Sequence, residues 1–230
     1  MSQGFVKQFF YEEQGATGPT GPQGPIGATG VPGPPDAGYT YGGTLYYGAN
    51  GTFIKGDYPG LRAVLVECQG KGGQSGSTSA DTSAGQVMLS SAGSGGGYAR
   101  SFILVSDLDE SESISLNNDS VFDTISGEVR GKGGNSGTVA TGDAGSVLDA
   151  ASPASEGSNV GDFIVQGGKG TPTYAPSLGL ILPGQGGDSF LGQGGVRDAI
   201  TSGVGSAAAG YGYGGGGSGG GMLPNQTLTL

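Results

Sequence analysis

Residues 15–35 read GAT-GPT-GPQ-GPI-GAT-GVP-GPP, seven Gly-X-Y triplets in one unbroken frame. Glycine at every third position, with proline at many X and Y positions, specifies a collagen triple helix. Only a hydrogen side chain fits where three chains meet at the axis. The axis positions are Gly15, Gly18, Gly21, Gly24, Gly27, Gly30 and Gly33. A single chain cannot build this structure, so the period predicts a homotrimer over the stretch. At about 3 Å of rise per residue, the stretch makes a rod of roughly 60 Å. A Pro/Gly-rich linker without structure has no reason to hold a strict period of three.

Of the 54 glycines, eight precede Asp36, and the rest follow no triplet period. Their abundance needs a second explanation. Low-complexity disorder is one. Against it, apolar segments interleave with the glycines: Ala63-Val64-Leu65-Val66 and Phe102-Ile103-Leu104-Val105 read as buried strands. Ser113-Ile-Ser-Leu116 alternates as a strand does, and helical periodicity is nearly absent. The segment Glu67-Cys-Gln-Gly-Lys-Gly-Gly-Gln-Ser-Gly76 is echoed by Glu128-Val-Arg-Gly-Lys-Gly-Gly-Asn-Ser-Gly137, and more weakly by Val165-Gln-Gly-Gly-Lys-Gly170. Each copy reads as a short strand running into a glycine turn, and repetition of that unit predicts stacked, similar layers.

Four zones follow. Residues 1–14 crowd Phe5, Val6, Phe9, Phe10 and Tyr11 into a segment too short for a core of its own. It reads as an anchor that docks into another protein, or as a cap that packs on itself and sets the collagen register. Residues 15–35 are the shaft. Residues 36–62, with Tyr39, Tyr41, Tyr46 and Tyr47, form a neck, and residues 63–230 form one glycine-rich distal head. The fold class expected is mainly β and irregular: a homotrimeric fibre with a collagen-like shaft and a head of short strands.

Several function classes are disfavoured. The net charge is −10 per chain, hence −30 for three, and the nine basic residues are scattered. That suits neither nucleic acid nor an anionic membrane. With no histidine, His-based catalysis and His-ligated metals are excluded. Two-carboxylate glycosidase chemistry has carboxylates to draw on. The lack of tryptophan leaves it without the usual sugar platforms, however, and no enzyme activity or cofactor is expected. The acidic stretch Asp107, Asp109, Glu110 and Glu112, with Asn117, Asn118, Asp119 and Asp123 nearby, reads as a solvated loop. As a Ca²⁺ site it lacks EF-hand spacing and the central glycine. Cys68, the single cysteine, stands in an apolar run and reads as a small buried hydrophobe. No apolar run is long enough for a membrane helix, and the first residues have no secretory-signal pattern. A trimeric fibre protein without such a signal is expected to leave its cell by lysis, which points towards a virus.

Residues 52–221 carry a resemblance. Gly60-Leu-Arg-Ala-Val-Leu-Val-Glu-Cys-Gln-Gly-Lys-Gly-Gly, with its Thr52-Phe-Ile-Lys lead-in, resembles the opening strand of glycine-rich bacteriophage tail-fibre and adhesin domains. Gly95-Gly-Gly-Tyr-Ala-Arg100 before Phe102, the Gly186-Gly-Asp-Ser-Phe-Leu-Gly192 turn and the glycine run from Gly210 to Gly221 are similar to further segments of that family. The resemblance implies glycine segments stacked as polyproline-II-type helices that present variable loops to a host. The glycine-poor insertions at 77–92, 138–163 and 171–182 depart from it. Tyr211 and Tyr213 then become receptor-contact candidates, since tyrosine on a glycine loop offers rigid amphipathic area. Packing between chains of the trimer is the competing role for both rings. The function expected is a virion fibre on the particle surface. Its partners are other copies of itself, another virion protein at the N-terminus, and a host glycan or outer-membrane protein. A purely structural spacer and a cellular collagen-like adhesin are the alternatives.

Overall fold

The computed structural model describes residues 5–12, 39–77, 83, 85–153 and 159–224. The Gly-X-Y shaft, from Gly15 to Gly33 of its axis, lies outside the described residues. Strand predominates, as expected, and helix among the described residues is confined to two 3-10 turns, Lys55–Asp57 and Val105–Asp107. In chain order the strands are β1 (Phe5–Glu12), β2 (Tyr39–Tyr47), β3 (Gly51–Ile54), β4 (Leu61–Gln69), β5 (Val87–Ser90), β6 (Tyr98–Leu104), β7 (Ser111–Leu116), β8 (Ser120–Thr124) and β9 (Gly127–Gly131). There follow β10 (Val139–Gly142), β11 (Val147–Leu148), β12 (Phe163–Val165), β13 (Thr173–Ser177), β14 (Leu180–Leu182), β15 (Gly192–Gln193), β16 (Val204–Gly205), β17 (Tyr211–Gly212) and β18 (Gly220–Met222).

The first body is a sandwich. A five-stranded sheet, ordered β12-β6-β4-β1-β2, faces a four-stranded sheet, β3-β7-β8-β9. Alternation supplies the shared core. Val64, Val66 and Cys68 of β4 and Ala99 and Ile103 of β6 meet Phe53, Ile114, Leu116, Phe122 and Val129 from the second sheet. Ile114 and Leu116 are the inward residues that the Ser-Ile-Ser-Leu alternation anticipates. Each large side chain removed from water in this way stabilises the fold by roughly 1.5–3 kcal/mol. A second β body is the sheet β10-β5-β18-β16, with Val87, Leu89, Ile181, Ile200 and Leu223 in a smaller core beside the β11-β13-β14 sheet. The insertions at 77–92, 138–163 and 171–182 supply β5, β10, β11, β13 and β14 to this second region, and β12 of the sandwich begins where the second of them ends.

Between the two bodies run the glycine segments, and their hydrogen bonds step by three. Gly70, Gly73 and Gly76 donate to Gly97, Ser94 and Ser91 at 2.8, 2.8 and 3.0 Å. Gly97, Ser94 and Ser91 in turn donate to Lys132, Asn135 and Thr138 at 2.7, 3.0 and 2.8 Å. Gly134 and Gly137 close the triangle on Lys71 and Gln74, both at 2.7 Å. The terminal run joins through Gly96 to Gly214, Gly93 to Gly217 and Gly217 to Gly73. A step of three is the repeat of a polyproline II chain, which has no internal hydrogen bonds and so bonds outward to its neighbours. The two strongest copies of the echo, 67–76 and 128–137, are two adjacent segments of this array, running side by side.

Two expectations are corrected. The glycine runs are not turns. Among the described residues glycine takes a positive φ at nine positions, Gly212 and Gly214 among them, and none lies in 70–76, 93–97 or 131–137. Those runs are extended, and their glycines are required by proximity. A Cβ on Gly72 would stand 2.0 Å from the Gly215 carbonyl oxygen, and one on Gly96 2.1 Å from that of Gly70. From Gly214 on, the terminal run is likewise no exposed loop, since residues 214–223 are buried, whereas Tyr211 and Gly212 before it are exposed. Strand pairing also runs across the zones read from the sequence. β1, carrying Phe5, Val6, Phe9, Phe10 and Tyr11, sits between β4 and β2, antiparallel to both. The neck contributes β2 and β3 to the sandwich, because each has an open sheet edge on which to satisfy its backbone.

Candidate contact surface

The outer face of the five-stranded sheet arises from the alternation of β6. Ala99, Ser101 and Ile103 point into the core, so Arg100, Phe102 and Leu104 point away from it and are exposed. Residues directly opposite in an antiparallel pair share a face. The register therefore sets Phe163 of β12, Arg100 of β6 and Glu67 of β4 in one row, with Tyr46 of β2 in the same row by way of Val6. The next row holds Phe102 and Leu65, and the third Leu104 and Ala63, with Tyr41 beyond Phe10. Leu65 is half-buried, and the other large apolar side chains of these rows are 43% (Phe163) to 56% (Tyr41) exposed.

Two loops reach this face at the end where β4 and β6 meet the glycine array. The loop at 189–192 lays Phe190 on Tyr98, ring centres 4.4 Å apart, with Phe163 edge-on to both at 6.2 Å. Arg100 stands over the Phe163 ring at 5.2 Å. The second loop holds both candidate tyrosines. Tyr211 pairs with Gln193 in the β15–β17 ladder, and the Tyr213 amide donates to Leu191 at 3.2 Å. Gly212 and Gly214 flank Tyr213 at φ of +69° and +75°, the left-handed region that favours glycine. The ladder and these two glycines separate the rings. Tyr211 is 67% exposed, whereas Tyr213 is half-buried with its ring 5.9 Å from that of Tyr46.

Beneath the loops the face is fixed by a buried polar pair. The Tyr98 hydroxyl donates to the Glu67 carboxylate, and the tyrosine itself is 1% exposed. Burial first, and then this bond to an anion, hold the hydroxyl protonated well above its ordinary value. Gln69, fully buried and directly opposite Tyr98 in the β4–β6 ladder, shares the two N–H groups of its side-chain amide among the carbonyls of Gly70, Gly96 and Gly97, at 3.1, 3.1 and 3.0 Å. It ties the sandwich to the array.

Such a surface can stack on planar or apolar groups and offer one cation. It presents no nucleophile. Cys68 is buried, donates its thiol to the Val129 carbonyl at 3.3 Å, and burial pushes its ionisation upward, which makes it inert. Among the described residues no three Cys, Asp or Glu side chains gather as a metal would require. The acidic stretch is spent on other partners. Glu110 pairs with Lys55 at 3.4 Å, Asp119 with Lys132 at 2.9 Å, and Asp123 accepts from Ser113 at 2.7 Å. Among the described residues no helix is long and apolar enough to cross a membrane.

Sequence reasoning singled out the tyrosines and missed the face. Phe102 and Leu104 sit in an unbroken apolar run, which hides the alternation that places them outside. Phe163 and Phe190 belong to short strands and loops with no periodic signal. No protein-family model, curated protein or solved structure matches the chain.

Proposed function

We propose that the chain is a virion fibre protein: a homotrimer with a collagen-like shaft and a distal glycine-rich head whose exposed turn touches the host surface. The observation that carries this reading is Tyr211, 67% exposed on a turn that the β15–β17 ladder and two left-handed glycines hold fixed. A rigid, exposed tyrosine makes contact at low entropic cost. Three heads per fibre, and several fibres per particle, give avidity without one strong site. The array of glycine segments, bonded at every third residue, supports polyproline-II-type stacking in that head.

The shaft and β1 exclude one another. Strand pairing sets Glu12 opposite Tyr39. A wound shaft over 15–35 holds the same two residues tens of ångströms apart, since its rod measures roughly 60 Å. The assembled fibre therefore draws β1 out of the sheet. That withdrawal frees Phe5, Val6, Phe9, Phe10 and Tyr11 to dock on another virion protein.

The test is direct binding. Light scattering on the purified full chain is expected to give three copies of 22.4 kDa, about 67 kDa. The labelled trimer is expected to bind at least one cell type in a bacterial panel, and Tyr211→Ala to weaken that binding while the trimer persists. A trimer that binds no cell would make the protein a spacer, and a stable monomer would remove the fibre altogether.

A further inference from the structure

We infer that the place β1 holds between β4 and β2 is a strand-binding seat, and that in the wound fibre this seat receives β1 from a second copy of the chain. The inference rests on the trimer reading above and adds the occupant of a seat that winding leaves vacant.

The seat is an interior position. β1 pairs with β2 through eight residues and with β4 through seven, antiparallel to both. Among the described strands, β2 has β1 as its one neighbour in the sheet. Both flanking strands depart from plain pairing at the same level. Gly42 of β2 and Arg62 of β4 are passed over between the partners of Phe9, Phe10 and Tyr11. An extra residue of this kind bends its strand and pins the register. Two at one level make the seat specific for a single alignment. The seat also bears on the core, because Leu45 and Tyr47 of β2 pack against the cluster that holds Val64, Val66 and Cys68 of β4.

Reach and register name the occupant. Residues 5–14, fully extended, span at most about 36 Å. The rod that separates them from Tyr39 measures roughly 60 Å, and the three N-termini of a trimer share its far end. No chain can then fill its own seat or that of a sister chain. A vacant seat leaves open the β4 backbone groups that bonded to β1, and takes from β2 its neighbour. Open strand edges of this kind accept a further strand. The sequence whose register fits is that of β1 itself, which every copy carries. Three free strands leave one end of a fibre, and three seats stand at the other. Such a contact is heterologous and does not close on itself, so it joins fibres end to end. Three strands on one shaft engage together, which adds avidity. A fibre on a particle gives its strands to the virion protein and offers its seats to the next copy.

The probe is a synthetic peptide of residues 1–14, added to the purified full-length trimer. It is expected to bind at one peptide per chain. A Phe9→Pro peptide should bind at least about tenfold more weakly, since proline cannot complete an interior ladder. Register gives a second readout. A Gln8→Cys peptide should form a disulfide with the Thr44→Cys trimer, at its Cα partner, and not with the Thr40→Cys trimer, where the partner is Tyr11. Without peptide, dilute trimers should gain mass in steps of three chains as they are concentrated, and excess peptide should return them to three. A trimer that binds neither peptide, binds both alike, or couples equally at positions 44 and 40 overturns the inference and leaves the fibre reading standing. Peptide binding with no gain in mass overturns the second copy as occupant. A monomeric mass overturns the fibre reading and the inference together.

Discussion

Glycine serves here as the absence of a side chain more than as a source of freedom. A Cβ on Gly96 would lie 2.1 Å from the Gly70 oxygen and 2.8 Å from that of Lys71, both backbone atoms that cannot swing aside. Gly179, by contrast, has nothing within 4 Å of a built Cβ. Gly96→Ala is expected to cost the fold on the order of 1–3 kcal/mol or more, as overpacking does. Gly179→Ala should be neutral or stabilising by up to about 1 kcal/mol, through the unfolded chain. Urea midpoints of the two variants check the contrast, and equal midpoints would contradict the packing argument. A second expectation concerns pH. Burial holds the Cys68 thiol protonated in the folded protein above its ordinary 9.0, so only the unfolded chain gives up this proton near that pH. The stabilisation is complete below pH 9 and is lost as pH rises past it, by about 1.4 kcal/mol per pH unit until the folded thiol ionises too. Tyr98 adds a similar loss starting from 10.0. Cys68→Val should therefore remove the part of the decline that begins near pH 9 and keep the later part; an unaltered profile would refute this.

Strands and glycine segments differ in how far their sequences reveal them. β7 is legible because serine alternates with Ile114 and Leu116, and burial of one face follows from that alternation alone. The echo at 67–76 and 128–137 correctly signals repeated neighbours, because equal segments bond to equal partners: Gly70 and Gly73 lie against Lys132 and Asn135. What the echo hides is conformation, since a run of glycines reads as a turn by composition and is set extended here by its neighbours' backbones. β1 is the harder case. Its crowded apolar residues fit a strand, an anchor and a cap equally, and only the open edges of β4 and β2, distant in sequence, select the strand. The same pairing yields a prediction. Gln8 and Thr44 are Cα partners, within reach of a disulfide. Gln8→Cys/Thr44→Cys, oxidised, should stay monomeric and lack the triple-helical circular dichroism signal, and reduction should restore both trimer and signal. A locked protein that still trimerised through its shaft would break the exclusion between β1 pairing and the rod.

In the proposed trimer the protein has two cooperative parts with different sources of stability. The head is held within one chain by the sandwich core and by backbone bonds between glycine segments, so its melting should not depend on concentration. The shaft is held only between chains, by glycine packing at a shared axis, so its melting should rise with protein concentration. Calorimetry of the full chain is expected to resolve these as separate transitions. Gly24→Ala, at the middle axis position, puts a methyl group where no space exists. It should lower the concentration-dependent transition by several degrees and leave the head's transition in place, because the head's core and its glycine array are built within one chain. One merged transition that Gly24→Ala shifts as a whole would mean that head and shaft fold as a unit.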